Sequence, residues 1–129
     1  MELPEYLDLK SFSYNDIIGQ DRWLAWTPTM TGWTDVGTPT VTARLRVVGK
    51  KVEAQVKVVP STTTATTAGT SYISMPIAAK GLAGQGSMMN ITTLIAVGVC
   101  AIDIANSRVY VPTQAATGNT LTIWFEYEI

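Results

Sequence analysis

From Val41 to Val59 the chain reads VTARLRVVGKKVEAQVKVV, apolar and polar residues alternating, and the alternation reflects about Gly49-Lys50. Folding the segment there pairs Val48 with Lys51, Val47 with Val52, Arg46 with Glu53, Leu45 with Ala54 and Ala43 with Val56. Val41, Ala43, Leu45, Val47, Val52, Ala54, Val56 and Val58 then share one face, and Thr42, Arg44, Arg46, Glu53, Gln55 and Lys57 the other. A slip of one residue would put every valine in water, so the pattern fixes the register. Glycine at the first turn position suits a type II′ turn, which needs positive φ there. The prediction is an antiparallel hairpin, apolar on one side and wet on the other.

The same reading extends along the chain. Trp23 to Thr40 is broken by Pro28, Gly32, Gly37 and Pro39 into short extended pieces, and Pro60 closes the hairpin. Ser61–Ser71, STTTATTAGTS, is small and polar and reads as a loop, although threonines also tolerate a strand. Tyr72 to Pro76 reads as a strand stopped by proline. Lys80–Asn90, KGLAGQGSMMN, holds three glycines and reads as a second long loop. Ile91–Ile104 is apolar on both faces, the pattern of one strand buried between layers. Asn106-Ser107 turns it into Arg108–Val111, with Arg108 diagonal to Asp103. Thr117-Gly118-Asn119 makes the last turn, and Leu121, Ile123, Phe125, Tyr127 and Ile129 face the core from the final strand. Seven or eight short strands without an internal helix predict an all-β antiparallel β-sandwich, jelly-roll-like. Residues 23–129 form this head. Residues 1–22, with five acids against two bases, form an arm whose Leu3, Leu7, Leu9, Phe12, Ile17 and Ile18 need a surface to pack on.

Charge sharpens the picture. Charged residues make up 15% of the chain, against roughly 25% in ordinary soluble domains. Between Lys57 and Asp103 only Lys80 is charged, and nothing is charged between Arg108 and Glu126. A lone sandwich protects its outer strands with charge, so this one is expected to be covered by copies of itself, as an obligate homo-oligomer. A net charge of −1 argues against nucleic acid. With no histidine and a single cysteine, Cys100, Ser-His-Asp and Cys-His chemistry and structural zinc are excluded within one chain, and no cofactor is expected. The acidic start MELPEYLDLK is no signal peptide, and no apolar run reaches the roughly 20 residues that span a membrane.

Several residues together carry a resemblance: Trp26-Thr27-Pro28, then Gly32, then Ala43-Arg44-Leu45-Arg46-Val47-Val48-Gly49-Lys50-Lys51-Val52, a Thr/Gly loop, Ile73-Ser74-Met75-Pro76 and an aromatic C-terminal strand. In this order they resemble the small β-sandwich head domains of bacteriophage tail fibres and related virion proteins. The resemblance covers about residues 23–129. It departs at Leu45, where the pattern more often has an aromatic, and at Met75, where it usually has leucine. It implies a homotrimer in the virion that binds a host cell-surface glycan or other receptor. In that setting Leu3, Leu7, Phe12 and Ile17 of the arm would attach the head to other virion proteins. A purely structural head-fibre or decoration protein without ligand is the alternative that the same resemblance leaves open.

The site candidates follow. Trp23, Trp26 and Trp33 cluster at the entry to the sandwich, where core or subunit packing is expected. Trp124 shares a strand face with Thr120, Thr122, Glu126 and Glu128, and so points outward as a subunit contact or a sugar-stacking platform. Small hydroxyls and amides in the two loops, Thr63, Thr64, Thr66, Thr67, Gln85 and Asn90, are candidates for polar ligands. Met88 and Met89 are candidates for an oligomer interface. Arg44, Arg46 and Lys57 make a small basic strip that reads as a solvated face. Asp103 reads as a buried charge paired with Arg108. Glu126 and Glu128 have the residue type for glycan cleavage, but paired acids at a strand end are commonplace, and no catalytic residue is assigned.

Overall fold

A computed structural model describes residues 22–129; the attachment candidates Leu3, Leu7, Phe12 and Ile17 lie outside the described residues. Within them the chain is all-β, without helix. In chain order the strands are β1 (Leu24–Ala25), β2 (Met30–Thr31), β3 (Thr34–Val36), β4 (Thr40–Val48), β5 (Lys51–Val59), β6 (Thr63–Thr66), β7 (Tyr72–Ser74), β8 (Gly84–Asn90), β9 (Ile95–Val99), β10 (Ala101–Asp103), β11 (Arg108–Tyr110), β12 (Gln114–Thr117) and β13 (Leu121–Glu128). They form three antiparallel sheets, in the orders β1-β4-β5-β13-β8-β9, β10-β11-β7-β2 and β12-β6-β3. The count exceeds the expected seven or eight because prolines and glycines cut the extended segments into two- and three-residue pieces.

The β4–β5 hairpin has the register the alternation predicts, from Thr40 opposite Val59 to Val48 opposite Lys51. Gly49 has φ 62° and Lys50 is not in the left-handed region, as a type II′ turn requires. Its inward residues join one continuous core. Leu45, Val52, Ala54, Val56 and Val58 meet Leu121, Ile123, Phe125 and Tyr127 of β13, with Ile73 and Val109 coming from the four-stranded sheet and Val111 from the segment after β11. This packing of the six-stranded sheet against the other elements is consistent with a β-sandwich. Tyr127 has its hydroxyl inside that core. It donates to the Ile77 carbonyl at 2.8 Å and accepts from the Ile77 N–H at 3.2 Å, so that burying the ring leaves no polar atom unpaired.

Three expectations are corrected. Ser61–Ser71 is not a loop throughout: β6 is the middle strand of its sheet, and Thr64 and Thr66 are buried. Threonine is β-branched and suits a strand, and the hydroxyls avoid a desolvation cost by finding partners. Thr64 Oγ1 donates to Asp35 Oδ1 at 2.8 Å, and Thr66 Oγ1 to the Pro112 carbonyl at 2.7 Å. Lys80–Asn90 is not a loop throughout either: residues 80–83 are irregular, but β8 pairs with β13 from Gly84 opposite Tyr127 to Asn90 opposite Leu121. Its glycines allow β13 to approach closely. A Cβ on Gly86 would lie 2.6 Å from the Trp124 carbonyl oxygen and 2.8 Å from Phe125 Cβ.

Ile91–Ile104 is not one buried strand. It makes a turn, then edge strand β9 of the large sheet, then crosses at Cys100 to edge strand β10 of the four-stranded sheet. Leu94, Ile95 and Val99 are 78%, 63% and 80% exposed. The apolar pattern therefore reports residues at a margin, where periodicity alone does not tell a buried strand from one with no neighbour.

Candidate functional site

The outward face of the large sheet is a grid whose rows follow from register. One row runs Arg46, Glu53, Glu126, Gln85; the next runs Arg44, Gln55, Trp124, Ser87; the third runs Thr42, Lys57, Thr122, Met89. Alternation along each strand puts all twelve side chains on the side opposite the core.

The first row is electrically closed. Arg46 Nε donates to Glu53 Oε2 at 2.8 Å, Lys51 Nζ stands 3.2 Å from Glu126 Oε2, and Gln85 Nε2 donates to Glu126 Oε1 at 2.7 Å. The hydrogen bond from Gln85, with the charge and hydrogen bond of Lys51, holds the Glu126 carboxyl below its usual range. A glycosidase acid needs the opposite shift, so the Glu126–Glu128 pair gains no support as a catalytic dyad.

The other two rows enclose a depression of about 500 Å³ between β4, β5 and β13. Thr42, Arg44, Gln55, Lys57, Thr122 and Trp124 wall it. Arg44 is held in place: its Cζ lies 4.5 Å from the centre of the Trp23 ring and its Nε donates to Gln55 Oε1 at 2.8 Å. Arg46 stacks on the same indole at 4.7 Å. Trp23 thus sits on the wet face beneath two guanidinium groups, a cation–π arrangement that fixes both.

The three early tryptophans do not form one cluster. Trp23 is outside, Trp26 is 4% exposed in the core, and Trp33 is half-buried with its Nε1 donating to the Tyr72 carbonyl at 3.4 Å. Trp124 faces outward and is half-buried. Of the proposed polar contacts, Thr64 and Thr66 spend their hydroxyls inside the protein, Thr63 is half-buried and Thr67 exposed. Asn90 is buried and caps the following turn, its Oδ1 accepting from the N–H groups of Thr92 and Thr93 at 3.1 and 3.2 Å. Gln85 is exposed and engaged with Glu126. Met88 belongs to the core, whereas Met89 points out and is 42% exposed.

Asp103 is not a buried ion. It lies directly opposite Arg108 and accepts instead from Asn106, at 3.1 Å from N–H and 2.9 Å from Nδ2, which lowers its pKa; Arg108 stacks over Tyr72 at 4.5 Å. Cys100 is buried and desolvation pushes its thiol up to about 12, far from a nucleophile's range. No group of three His, Cys, Asp or Glu side chains converges to hold a metal among the described residues.

The depression was only half visible in the sequence. The hairpin puts Arg44, Gln55 and Lys57 on one face, and the last strand shows Trp124 pointing outward. What joins them is the pairing of β13 with β5, a contact between distant segments that no local pattern encodes. Comparison with protein-family models, with curated proteins and with solved structures finds no match.

Proposed function

We propose that this chain is a bacteriophage virion protein: a jelly-roll-like head domain that assembles as a homotrimer, is joined to other virion proteins by its N-terminal arm, and recognises a glycan on the host surface. The observation that carries the reading is the bare margin of the large sheet. Leu94, Ile95 and Val99 of the β8–β9 turn and edge strand are exposed, as is Met89 of β8, and no residue between Lys80 and Asp103 is charged. Apolar groups gathered at a strand edge are the mark of an interface between chains. The likeness of Trp26-Thr27-Pro28, the Arg44–Val52 strand and Ile73–Pro76 to fibre head domains supplies the virion setting. The Trp124 depression supplies a surface for recognition.

Sedimentation equilibrium tests the assembly. The chain at micromolar concentration is expected at trimer mass, and Ile95→Lys combined with Val99→Lys is expected to reduce it to single copies with the β circular-dichroism spectrum unchanged. A wild-type chain that stays monomeric overturns the trimer. On an array of host-surface glycans the trimer is expected to be retained; an array without hits favours the purely structural alternative.

A further inference from the structure

We propose that the depression beside Trp124 binds an acidic saccharide, a sugar ring bearing a carboxylate. The inference rests on the reading of the chain as a glycan-recognising head, and it adds the place and the ligand class. Recognition was expected from the loops; the sheet face holds the groups that suit it.

Charge decides the class. In the row through Glu53 and Glu126 every cation faces a carboxylate, with Arg46 and Lys51 serving both acids. In the two rows around the depression there is no acid. Lys57 is exposed and its ammonium has no ion-pair or hydrogen-bond partner among the described residues. Arg44 gives its Nε to the neutral Gln55, so its charge is not neutralised there. Residues 22–129 hold eight bases against five acids.

Geometry decides the rest. The guanidinium of Arg44 is clamped by Trp23 and Gln55, and a planar fork held still suits a carboxylate, which it can meet with two parallel hydrogen bonds. The exposed part of the Trp124 indole lies in the same row, and Lys57 is its diagonal neighbour on β5, roughly 7–8 Å away at the backbone. The negative face of an aromatic ring attracts the positively polarised C–H groups of a pyranose. Thr42 and Thr122, each paired with Lys57 across the sheet, offer hydroxyls to those of the sugar. A volume of about 500 Å³ lies within the roughly 300–1,000 Å³ of ordinary small-ligand sites. A neutral sugar would leave Arg44 and Lys57 desolvated and unanswered, so the site discriminates against it.

The test uses the full chain and titration calorimetry, with 3′-sialyllactose and trigalacturonate as acidic probes and lactose and maltotriose as neutral ones. At least one acidic probe is expected to bind ten times more tightly than either neutral one at low ionic strength, the preference shrinking as salt screens the charges. Trp124→Ala and, separately, Lys57→Glu are expected to weaken that binding at least tenfold, with the sedimentation coefficient unchanged. Lys57 is exposed, so its variant folds even where loss of the indole disturbs the sheet. Neutral probes bound equally well, with Lys57→Glu silent, would overturn the acidic assignment and leave glycan recognition standing. No retention of the acidic or neutral probes, together with an empty glycan array, would overturn both. Loss of the assembled form in Trp124→Ala would make this face a subunit contact, and the proposal would fall.

Discussion

Two hairpins flank β13 in the same sheet, and they are built to different standards. In β4–β5 both strands have nine residues, the register runs unbroken, the turn places Gly49 where φ is positive, and the wet face pairs Arg46 with Glu53. In β8–β9 the strands have seven and five residues, and the register shifts between Met88 and Met89. The turn there holds Leu94 at φ 59° with its side chain 78% exposed. A leucine in the left-handed region costs on the order of 1–2 kcal/mol, and its exposed side chain returns nothing within one subunit. The first hairpin buries its inner face and closes its ion pair at Arg46 and Glu53. The second carries backbone strain at Leu94 and leaves apolar side chains exposed.

The comparison breaks most visibly on the inner face. Phe125 lies between Ala54 of β5 and Gly86 of β8, in register with both. On the β5 side a methyl fits. On the β8 side a Cβ would collide with the Trp124 carbonyl and Phe125 Cβ, so Gly86→Val is expected to lower stability by about 3 kcal/mol, seen as a fall in the urea midpoint with unchanged slope. A variant as stable as wild type would mean that β8 does not sit against Phe125 as described. Leu94→Gly sharpens the comparison with a smaller effect of the opposite sign. It removes the left-handed strain and is expected to stabilise the isolated subunit by up to about 1 kcal/mol. Association measured by sedimentation is expected to weaken at the same time, since the exposed side chain is gone. If both stability and association stay put, Leu94 is neither strained nor buried between subunits.

The finished hairpin was legible in the sequence because its information is local: strict alternation, one turn and complementary charges lie within nineteen consecutive residues. The inward order of Leu121, Ile123, Phe125 and Tyr127 was legible for the same reason. β8 was not, because KGLAGQGSMMN has the composition of a loop, and its glycines make sense only once Phe125 and Tyr127 are placed across from them. β6 has loop-like composition because its threonines are polar, and their hydroxyls find Asp35 and Pro112 only across long stretches of sequence. Ile91–Ile104 shows the converse limit, for apolar residues look alike whether a core covers them or they stand exposed at an edge. The Trp124 site divides along this line. Each of its residues was placed on the outward side, and their meeting awaited the β5–β13 pairing.

The smallest expected effect lies at the self-sufficient end, in the charge row that β13 completes. Glu126 accepts from Gln85 and faces Lys51, and its pKa is lowered in the folded protein. A carboxyl with a lower pKa when folded adds stability that is fully present above its unfolded value, roughly pH 4.3, and is lost as pH falls through the folded value. Glu126→Gln keeps the shape and removes the charge. The variant is expected to be less stable at pH 7 by under about 1 kcal/mol, because a pair at the surface is weakened by water and side-chain entropy. At a pH below the folded pKa, where the wild-type carboxyl is protonated, the two are expected to unfold at the same urea concentration. A deficit of equal size at pH 7 and below the folded pKa would trace the loss to packing against β8 and not to charge, and the electrically closed row would then be closed only in geometry.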